Sequence, residues 1–129
     1  IENKNFSLFQ EGLARVTKLV VDHFDPSNIF HINVLTNITI FCDCWGFTTP
    51  ALVPDIGIFG SQDIVAVDHA SLGAIKTGNL IPGSLTPPYV LGKNGHLFER
   101  IHHKNPYMQV EALEKLGAGS TIYDVVAVK

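Results

Sequence analysis

Residues 37–57 read Asn37-Ile-Thr-Ile-Phe-Cys-Asp-Cys-Trp-Gly-Phe-Thr-Thr-Pro-Ala-Leu-Val-Pro-Asp-Ile-Gly57, and the rest of the chain is organised around this stretch. It contains both cysteines of the protein and its single tryptophan. Cys42 and Cys44 are separated only by Asp43, at the end of an apolar run, and Asp55 directly follows a proline. Thiol and carboxylate groups are concentrated here, so we expect the chemistry of the protein in this segment.

The spacing of the two cysteines favours some roles over others. A disulfide between Cys42 and Cys44 would close a very small, strained ring. Thiolates on an extended turn can converge on zinc, iron or an iron-sulfur cluster, and Asp43 or Asp55 can complete the shell. One Cys-x-Cys motif is less specific than two Cys-x-x-Cys pairs, and reduced cysteines are also common in protein cores. From these residues alone, a ligand site and ordinary core cysteines both remain open.

The sequence around this stretch resembles a known family. The matching motifs are His31-Ile-Asn-Val-Leu-Thr-Asn-Ile-Thr, Cys42-Asp-Cys-Trp-Gly-Phe, Val53-Pro-Asp-Ile-Gly-Ile and Asp63-Ile-Val-Ala-Val-Asp-His-Ala-Ser-Leu. They resemble the C-terminal half of the domain of unknown function family 362, and the resemblance runs from about Phe6 to the end. Members often carry an upstream ferredoxin-like pair of cysteine-rich motifs for 4Fe-4S clusters. The resemblance therefore implies a redox- or metal-associated intracellular protein, with a ferredoxin-type module or a partner subunit as its partner.

Length, charge and composition limit the classes of protein to which this chain can belong. A chain of 129 residues that is 46% hydrophobic is long enough for one domain with a genuine core. The net charge is -3 and the nine Lys and Arg residues are scattered, which argues against nucleic acid or an anionic membrane as a partner. No apolar run approaches the roughly 20 residues that span a bilayer, so we predict a soluble, cytoplasmic protein. We expect residues 1–129 to form a single domain that resembles the C-terminal half of a longer family domain. The start at Ile1 rather than at a methionine fits a processed product, a trimmed chain or a piece of a longer gene.

Hydrophobic periodicity predicts alternating helices and strands. Helices are expected over residues 6–24, over 62–76 after a cap at Ser61, and from Asn105-Pro106 to Gly117. Strands are expected over residues 29–35, 55–60 and 121–128, and a long irregular loop over 77–104. The apolar stripe of the first helix is expected to pack inward. This pattern predicts an α/β fold with a small mixed, partly parallel sheet covered by helices.

Asp68 is the one carboxylate predicted close to an apolar helix face, where it requires a partner. A structural role, as a hydrogen-bond acceptor from the backbone of residues 42–55, is the favoured interpretation. Alternatively, Asp55 and Asp68 form a pair that binds a divalent ion or shares a proton. The complete set of candidate metal ligands is Cys42, Asp43, Cys44, Asp55 and Asp68. Any one of His96, His102 and His103 can also reach the cysteine turn as a ligand or a general base.

Three functions follow from these residues. The first is a metal- or iron-sulfur-associated redox protein that binds a cluster, or a zinc or iron ion, through Cys42 and Cys44. The second is a non-catalytic scaffold or interaction domain that docks a ferredoxin module or a second subunit. The third, a thiol enzyme with a histidine base, has the least support because no local Cys/His signature accompanies the cysteines.

Overall fold

The fold begins with helix α1 (Asn3–Val21) in the computed structural model, which describes residues 2–128 except the side chains of Asn3 and Asp43. The helix starts a few residues before the predicted position and ends at Asp22, whose backbone N–H bonds Lys18 O and Val20 O. Ala14 is fully buried against helix α4 (Met108–Lys115). The predicted helix is therefore confirmed, with shifted ends.

The apolar stripe of α1 points away from the protein, contrary to the prediction from its sequence. Phe9, Leu13, Val16 and Val20, here called the outer stripe, are all classed as exposed. The side that packs inward carries Ala14 together with small or polar residues such as Gln10 and Thr17. Periodicity identified the residues that share a side of the helix, but that side has no covering element within residues 2–128.

Two strands form the sheet, β1 (His31–Leu35) and β2 (Gly57–Ser61). They pair antiparallel, with Asn33 opposite Phe59 and Leu35 opposite Gly57. The expectation of a partly parallel sheet was wrong for the described residues. A parallel pair needs a crossover connection, usually a helix, whereas residues 36–56 contain only one short 3-10 turn and return beside β1, where Ile56 N–H bonds Leu35 O at 2.9 Å.

The two faces of this sheet differ in an unusual way. His31, Asn33 and Leu35 alternate inward, towards helix α2 (Ile64–Ala74). The outer face carries only apolar side chains, from Phe30, Ile32, Val34 and Ile58, and each is at least 60% exposed. These four residues are called the open sheet face. A sheet face of this composition is normally packed against another layer.

Helix α2 covers the inner side of both strands. Its N-cap is Asp63, whose carboxylate accepts the Ala66 N–H at 2.9 Å, and the predicted cap Ser61 instead accepts the Asp63 N–H. Val65, Val67 and Ser71 are buried between the sheet and the neighbouring helices. The second predicted helix is thus confirmed with its cap two residues later.

The segment predicted to be a long loop contains a short helix, α3 (Leu97–His102). His96 fixes its start: Nδ1 accepts the Phe98 N–H at 3.2 Å, and Nε2 lies 2.9 Å from Leu72 O. Leu97 and Ile101 are buried. The abundant prolines and glycines of this region concealed a helix that is only six residues long.

Two groups of buried residues form the core. The larger one lies beneath the cysteine turn and contains Ile38, Ile40, Leu52, Val53, Ile75, Leu97 and Ile101. The smaller one joins α1, α2 and α4 through Ala14, Val65, Val110 and Leu113. Helical spacing places Val110, Leu113 and Leu116 on one side of the last helix; Val110 and Leu113 are buried, whereas Leu116 is exposed.

The strand predicted over residues 121–128 does not form in the described part of the chain. Side chains hold its beginning, because Asp63 accepts the Ser120 N–H and Glu114 accepts the Thr121 N–H. Beyond that point a cavity of about 540 Å³ lies between the segment and β2. Strand propensity alone was insufficient because no ladder of hydrogen bonds reaches β2.

Candidate functional site

A neck formed by two chain segments holds the cysteine turn away from the sheet. Leu52 N–H donates to Ile38 O at 2.7 Å across this neck. At its base, Asn37 adopts a left-handed conformation with φ 48°, and the Asp55 carboxylate accepts its N–H at 2.9 Å. Asp55, a candidate ligand from the sequence, is exposed and acts here as a clamp on the turn.

Both cysteines lie on the exposed tip of this neck, Cys44 within a 3-10 turn formed by residues 43–45 and Cys42 directly before it. They are not joined by a disulfide. The Cys44 N–H points to Cys42 Sγ at 3.4 Å, and the Trp45 N–H donates to Cys42 O at 3.2 Å. The interpretation of both residues as buried core cysteines was therefore wrong. The side chain of Asp43 lies outside the described part of the structure.

Aromatic rings support the turn from below. Phe41 is the centre of this group, with ring centroids 6.1 Å from Trp45, 5.6 Å from Phe47 and 5.4 Å from Tyr89. Phe41 is half-buried on the larger core group, whereas Trp45 is 70% exposed. Aromatic pairs at such distances add stability beyond their buried area, so the turn rests on an ordered platform that leaves its outer surface accessible.

His102 is the histidine that reaches this platform. Its ring lies 5.9 Å from that of Phe41, and Nε2 lies 3.0 Å from Ile40 O. A carbonyl oxygen only accepts, so Nε2 carries the hydrogen and Nδ1 of the neutral ring has the lone pair. His102 therefore contacts the residues that lead into the cysteine turn, while His103 is exposed in a left-handed conformation. A role of either histidine as a ligand or a general base stays a prediction.

The described side chains do not form a complete metal site. Among them, no group of three or more His, Cys, Asp or Glu residues is placed to hold an ion. Structural zinc and iron-sulfur centres use four protein ligands. Asp55 and Asp68 have separate structural partners, Asn37 and Asn33 respectively. The fit to a closed cluster or zinc site within this part of the chain is therefore poor.

Asp68 lies on the other side of the sheet from the open face, facing β1. Its Oδ1 accepts a hydrogen bond from Asn33 Nδ2 at 2.8 Å, and the same nitrogen donates to Ser71 Oγ at 3.0 Å. The partner expected from the sequence was the backbone of residues 42–55, and this was wrong. The correct partner was predictable in principle, because Asn33 is the polar residue in the middle of β1, with an apolar residue on each side.

A further polar group, not anticipated from the sequence, holds the end of the chain. His69 Nδ1 and the Tyr123 hydroxyl are 2.9 Å apart. Burial, with a smaller contribution from Tyr123, raises the pKa of the nearby Tyr107 phenol. Hydrogen bonds from the Thr121 side chain and backbone lower the pKa of Glu114, and the charge of His69 adds to this. No local motif signals the contact between His69 and Tyr123, because these residues are 54 positions apart.

No helix within residues 2–128 combines the length and the apolar character that crossing a membrane requires. Comparison with known proteins gives one match, to the family described as domain of unknown function (DUF362), over residues 2–73. No curated protein and no solved structure matches the chain. The family match includes β1, the cysteine turn, β2 and nearly all of α2, and it spans more than half of the 129 residues. The chain therefore belongs to the DUF362 family.

Proposed function

We propose that this chain is a non-catalytic interaction domain whose partner is a second copy of itself. The observation that supports this most strongly is the pair of uncharged apolar surfaces, the outer stripe of α1 and the open sheet face. In the proposed dimer, the outer stripe of each copy packs on the open sheet face of the other.

The outer stripe has the properties of a packing surface. Phe9, Leu13, Val16 and Val20 recur at intervals of three and four residues, so they form one continuous row. At 100° per residue, the charged residues Glu11, Arg15, Lys18 and Asp22 lie on a different side of the helix. Burial of this row against another apolar surface therefore desolvates no charge.

The open sheet face complements that row. It is formed by neighbouring positions of the ladder, since Val34 pairs with Ile58 and Ile32 with Gly60. The Phe30 ring lies over Gly60, where a β-carbon would come within 2.8 Å of it. An α-helix is the element that usually covers such a face in α/β proteins. Each copy thus offers one apolar helix and one apolar sheet surface.

The total surface area agrees with a buried interface. The accessible surface is 8572 Å², whereas the size scaling of compact monomers gives about 6,700 Å² for 14.1 kDa. The observed area exceeds this value by roughly a quarter, and the largely exposed C-terminal segment, residues 122–128, contributes to the excess together with the two apolar surfaces. Exposed apolar patches are typical of interaction sites.

A two-fold dimer satisfies both surfaces at once. In such a dimer the contact of α1 with the partner's sheet occurs twice, so that the outer stripe and the open sheet face of each copy are both covered. The proposal requires that this reciprocal contact closes on itself, since contacts that do not close would form a filament. This self-complementarity is the reason that we favour a second copy over an unrelated protein.

Sedimentation velocity over a concentration series tests the proposal. We expect wild-type protein to be dimeric in the micromolar range, and Val16→Glu or Ile32→Glu to be monomeric. Asn94→Glu, which places the same side chain in an exposed turn, is the matched control and is expected to remain dimeric. Circular dichroism spectra equal to that of the wild type show that the variants fold.

Mixing the two variants gives the sharpest test. A mixed dimer keeps one intact contact, between the α1 of the Ile32→Glu copy and the sheet of the Val16→Glu copy. Association should therefore return when the two monomeric variants are combined. A monomeric wild type at all concentrations, or no recovery on mixing, would overturn the proposed dimer and assign the surfaces to a different protein.

A metal-associated role is the second candidate, and one observation favours it. Cys42 and Cys44 are exposed together on one ordered turn, where the Cys44 N–H points to Cys42 Sγ. We propose that a ferredoxin-type module or partner subunit would supply the missing ligands for an iron-sulfur cluster, or for a zinc or iron ion. The bound cluster or ion would supply redox or structural chemistry. The aromatic platform centred on Phe41 would orient the two thiols.

Elemental analysis and a visible spectrum of protein purified without oxygen test this second candidate. Iron or zinc near one equivalent in wild type, lost in Cys42→Ser/Cys44→Ser, would support it. Ser7→Ala/Ser61→Ala is a control with two substitutions away from the turn. Metal retained in the cysteine double variant, or absent from protein that contains its partner, would contradict the assignment.

A further inference from the structure

A small cavity of about 260 Å³ lies between β1, α2 and the start of α4. Its polar lining comes from Asn33, Asp68, Ser71 and Gln109, and its other walls include Leu72 and Ile75. It lies on the inner side of the sheet, away from the open sheet face. The dimer proposed above therefore neither fills nor blocks it.

The hydrogen bonds of this cavity have a fixed direction. A carboxylate only accepts, so the contact of 2.8 Å with Asp68 Oδ1 identifies the donor as Asn33 Nδ2. The second hydrogen of Nδ2 is directed to Ser71 Oγ at 3.0 Å. The Ser71 hydroxyl in turn donates to Val67 O at 2.6 Å. All three hydrogens of the network are thus used within the protein.

Two acceptors of Asn33 and Asp68 remain, beside the side-chain amide of Gln109, which has both an acceptor and N–H donors. Among the described residues, no donor binds Asp68 Oδ2 or Asn33 Oδ1, and both side chains line the cavity. No Lys, Arg or His belongs to the lining, so the carboxylate charge has no cationic neighbour there. A half-buried carboxylate next to apolar walls favours a ligand that brings both positive charge and N–H donors.

We propose that this cavity binds a small organic cation, a primary ammonium group that carries a short apolar chain. The ammonium would donate to Asp68 Oδ2 and Asn33 Oδ1, while the chain would contact Leu72 and Ile75. Its volume is below the 300–1,000 Å³ range of drug-sized sites, which limits the ligand to a few heavy atoms. A divalent metal ion fits less well, because one carboxylate and one amide oxygen are too few for the six or more oxygen ligands that such ions take.

Titration of isotopically labelled protein with n-butylammonium chloride, followed by NMR, tests the inference. We expect the side-chain amide signals of Asn33 and Gln109 to shift in a saturable way. n-Butanol has the same chain without the charge, and sodium chloride matches the ionic strength. Sodium chloride should leave these signals unchanged. n-Butanol should leave them unchanged or bind at least tenfold more weakly than n-butylammonium.

Variants test whether binding depends on the charge of Asp68 rather than on a change of the fold. Asp68→Asn keeps an acceptor for Asn33 and should weaken n-butylammonium at least tenfold, whereas Asp124→Asn, which also removes one carboxylate, should leave the affinity unchanged. Gln109→Ala, at the rim, is a second variant that should bind more weakly if the fold of Asp68→Asn is altered. Equal binding of n-butanol, undiminished affinity in the folded Asp68→Asn variant, or no saturable shift in wild type would overturn the site.

Discussion

The side-chain amide of Asn33 donates to the Asp68 carboxylate at 2.8 Å, and this bond joins the middle of β1 to the middle of α2. The strand thereby presents a polar residue to its covering helix and apolar residues to the outside. The half-buried carboxylate of Asp68 and the buried hydroxyl of Ser71 both accept from this one amide group. The attachment of the sheet to α2 should therefore be sensitive to that single side chain.

Replacement of Asn33 by leucine, which has a similar size, should lower the free energy of unfolding. The variant removes both hydrogen bonds and leaves the Asp68 carboxylate and the Ser71 hydroxyl without their donor, which costs about 1–3 kcal/mol. Urea unfolding measures the change. The double variant Asn33→Leu/Asp68→Leu should lose less than the sum of the two single variants, because the Asp68 carboxylate is no longer left unpaired. Equal stability of Asn33→Leu and the surface control Asn94→Leu would contradict the role of this bond.

Asp63 holds two parts of the chain with one carboxylate. Oδ1 accepts the Ala66 N–H and caps α2, and Oδ2 accepts the Ser120 N–H, both at 2.9 Å. Asp63→Ala should lower the free energy of unfolding by about 1–2 kcal/mol, the usual effect of losing an N-cap. It should also increase amide hydrogen exchange after Ser120. Asp124→Ala, at an exposed position of the C-terminal segment, should show neither effect.

Gly119 lies against the same carboxylate. A β-carbon on Gly119 would collide with the Asp63 side chain, so Gly119→Ala must displace a group that makes two hydrogen bonds. We expect a loss of stability similar to that of Asp63→Ala. In the Asp63→Ala background the same glycine substitution should have little effect, and a full additional loss there would show that the carboxylate is not the obstacle. Gly73→Ala, on an exposed position with open space around it, is the control.

The local elements were predictable from the sequence, but the way they face each other was not. Periodicity located α1, α2 and α4 and the two strands, because these patterns depend on neighbouring residues. The outer stripe of α1 was expected to pack inward, because periodicity shows which residues share a side but not what covers that side. Leu13 and Val16 illustrate this: their spacing is helical, yet both are exposed.

The arrangement of the candidate site was likewise only partly predictable from the sequence. The exposed position of Cys42 and Cys44 depends on the neck between Ile38 and Leu52, a contact that the spacing of the cysteines does not encode. The approach of His102 was foreseen only as one of three possibilities. The missing strand over residues 121–128 has apolar β-branched residues, but strand formation also needs an edge within hydrogen-bonding distance.

The aromatic platform should control the order of the cysteine turn. Phe41→Ala removes the ring that contacts Trp45, Phe47 and Tyr89, and it should lower the free energy of unfolding by about 2 kcal/mol, less than for a fully buried phenylalanine. Acrylamide quenching of Trp45 fluorescence should increase as the turn loosens. Phe41→Leu retains apolar volume and should have a smaller effect. Unchanged quenching in Phe41→Ala would show that the neck alone orders the turn.

Attachment of the C-terminal segment should depend on pH through Glu114. Thr121 donates to Oε1 from its hydroxyl at 2.7 Å and from its backbone N–H at 2.6 Å, and these bonds place the folded pKa of Glu114 below its ordinary value of 4.5. The charged form is therefore favoured in the folded protein. Its stabilising effect is fully present above the unfolded pKa and is lost as the pH falls through the folded pKa.

The Thr121 amide signal in NMR should accordingly titrate below pH 4.5, together with increased hydrogen exchange of the following residues. Glu114→Gln should abolish this titration, while Glu111→Gln, on an exposed position of the same helix, should leave it intact. A midpoint at or above the ordinary glutamate value would show that Thr121 does not stabilise the charged carboxylate.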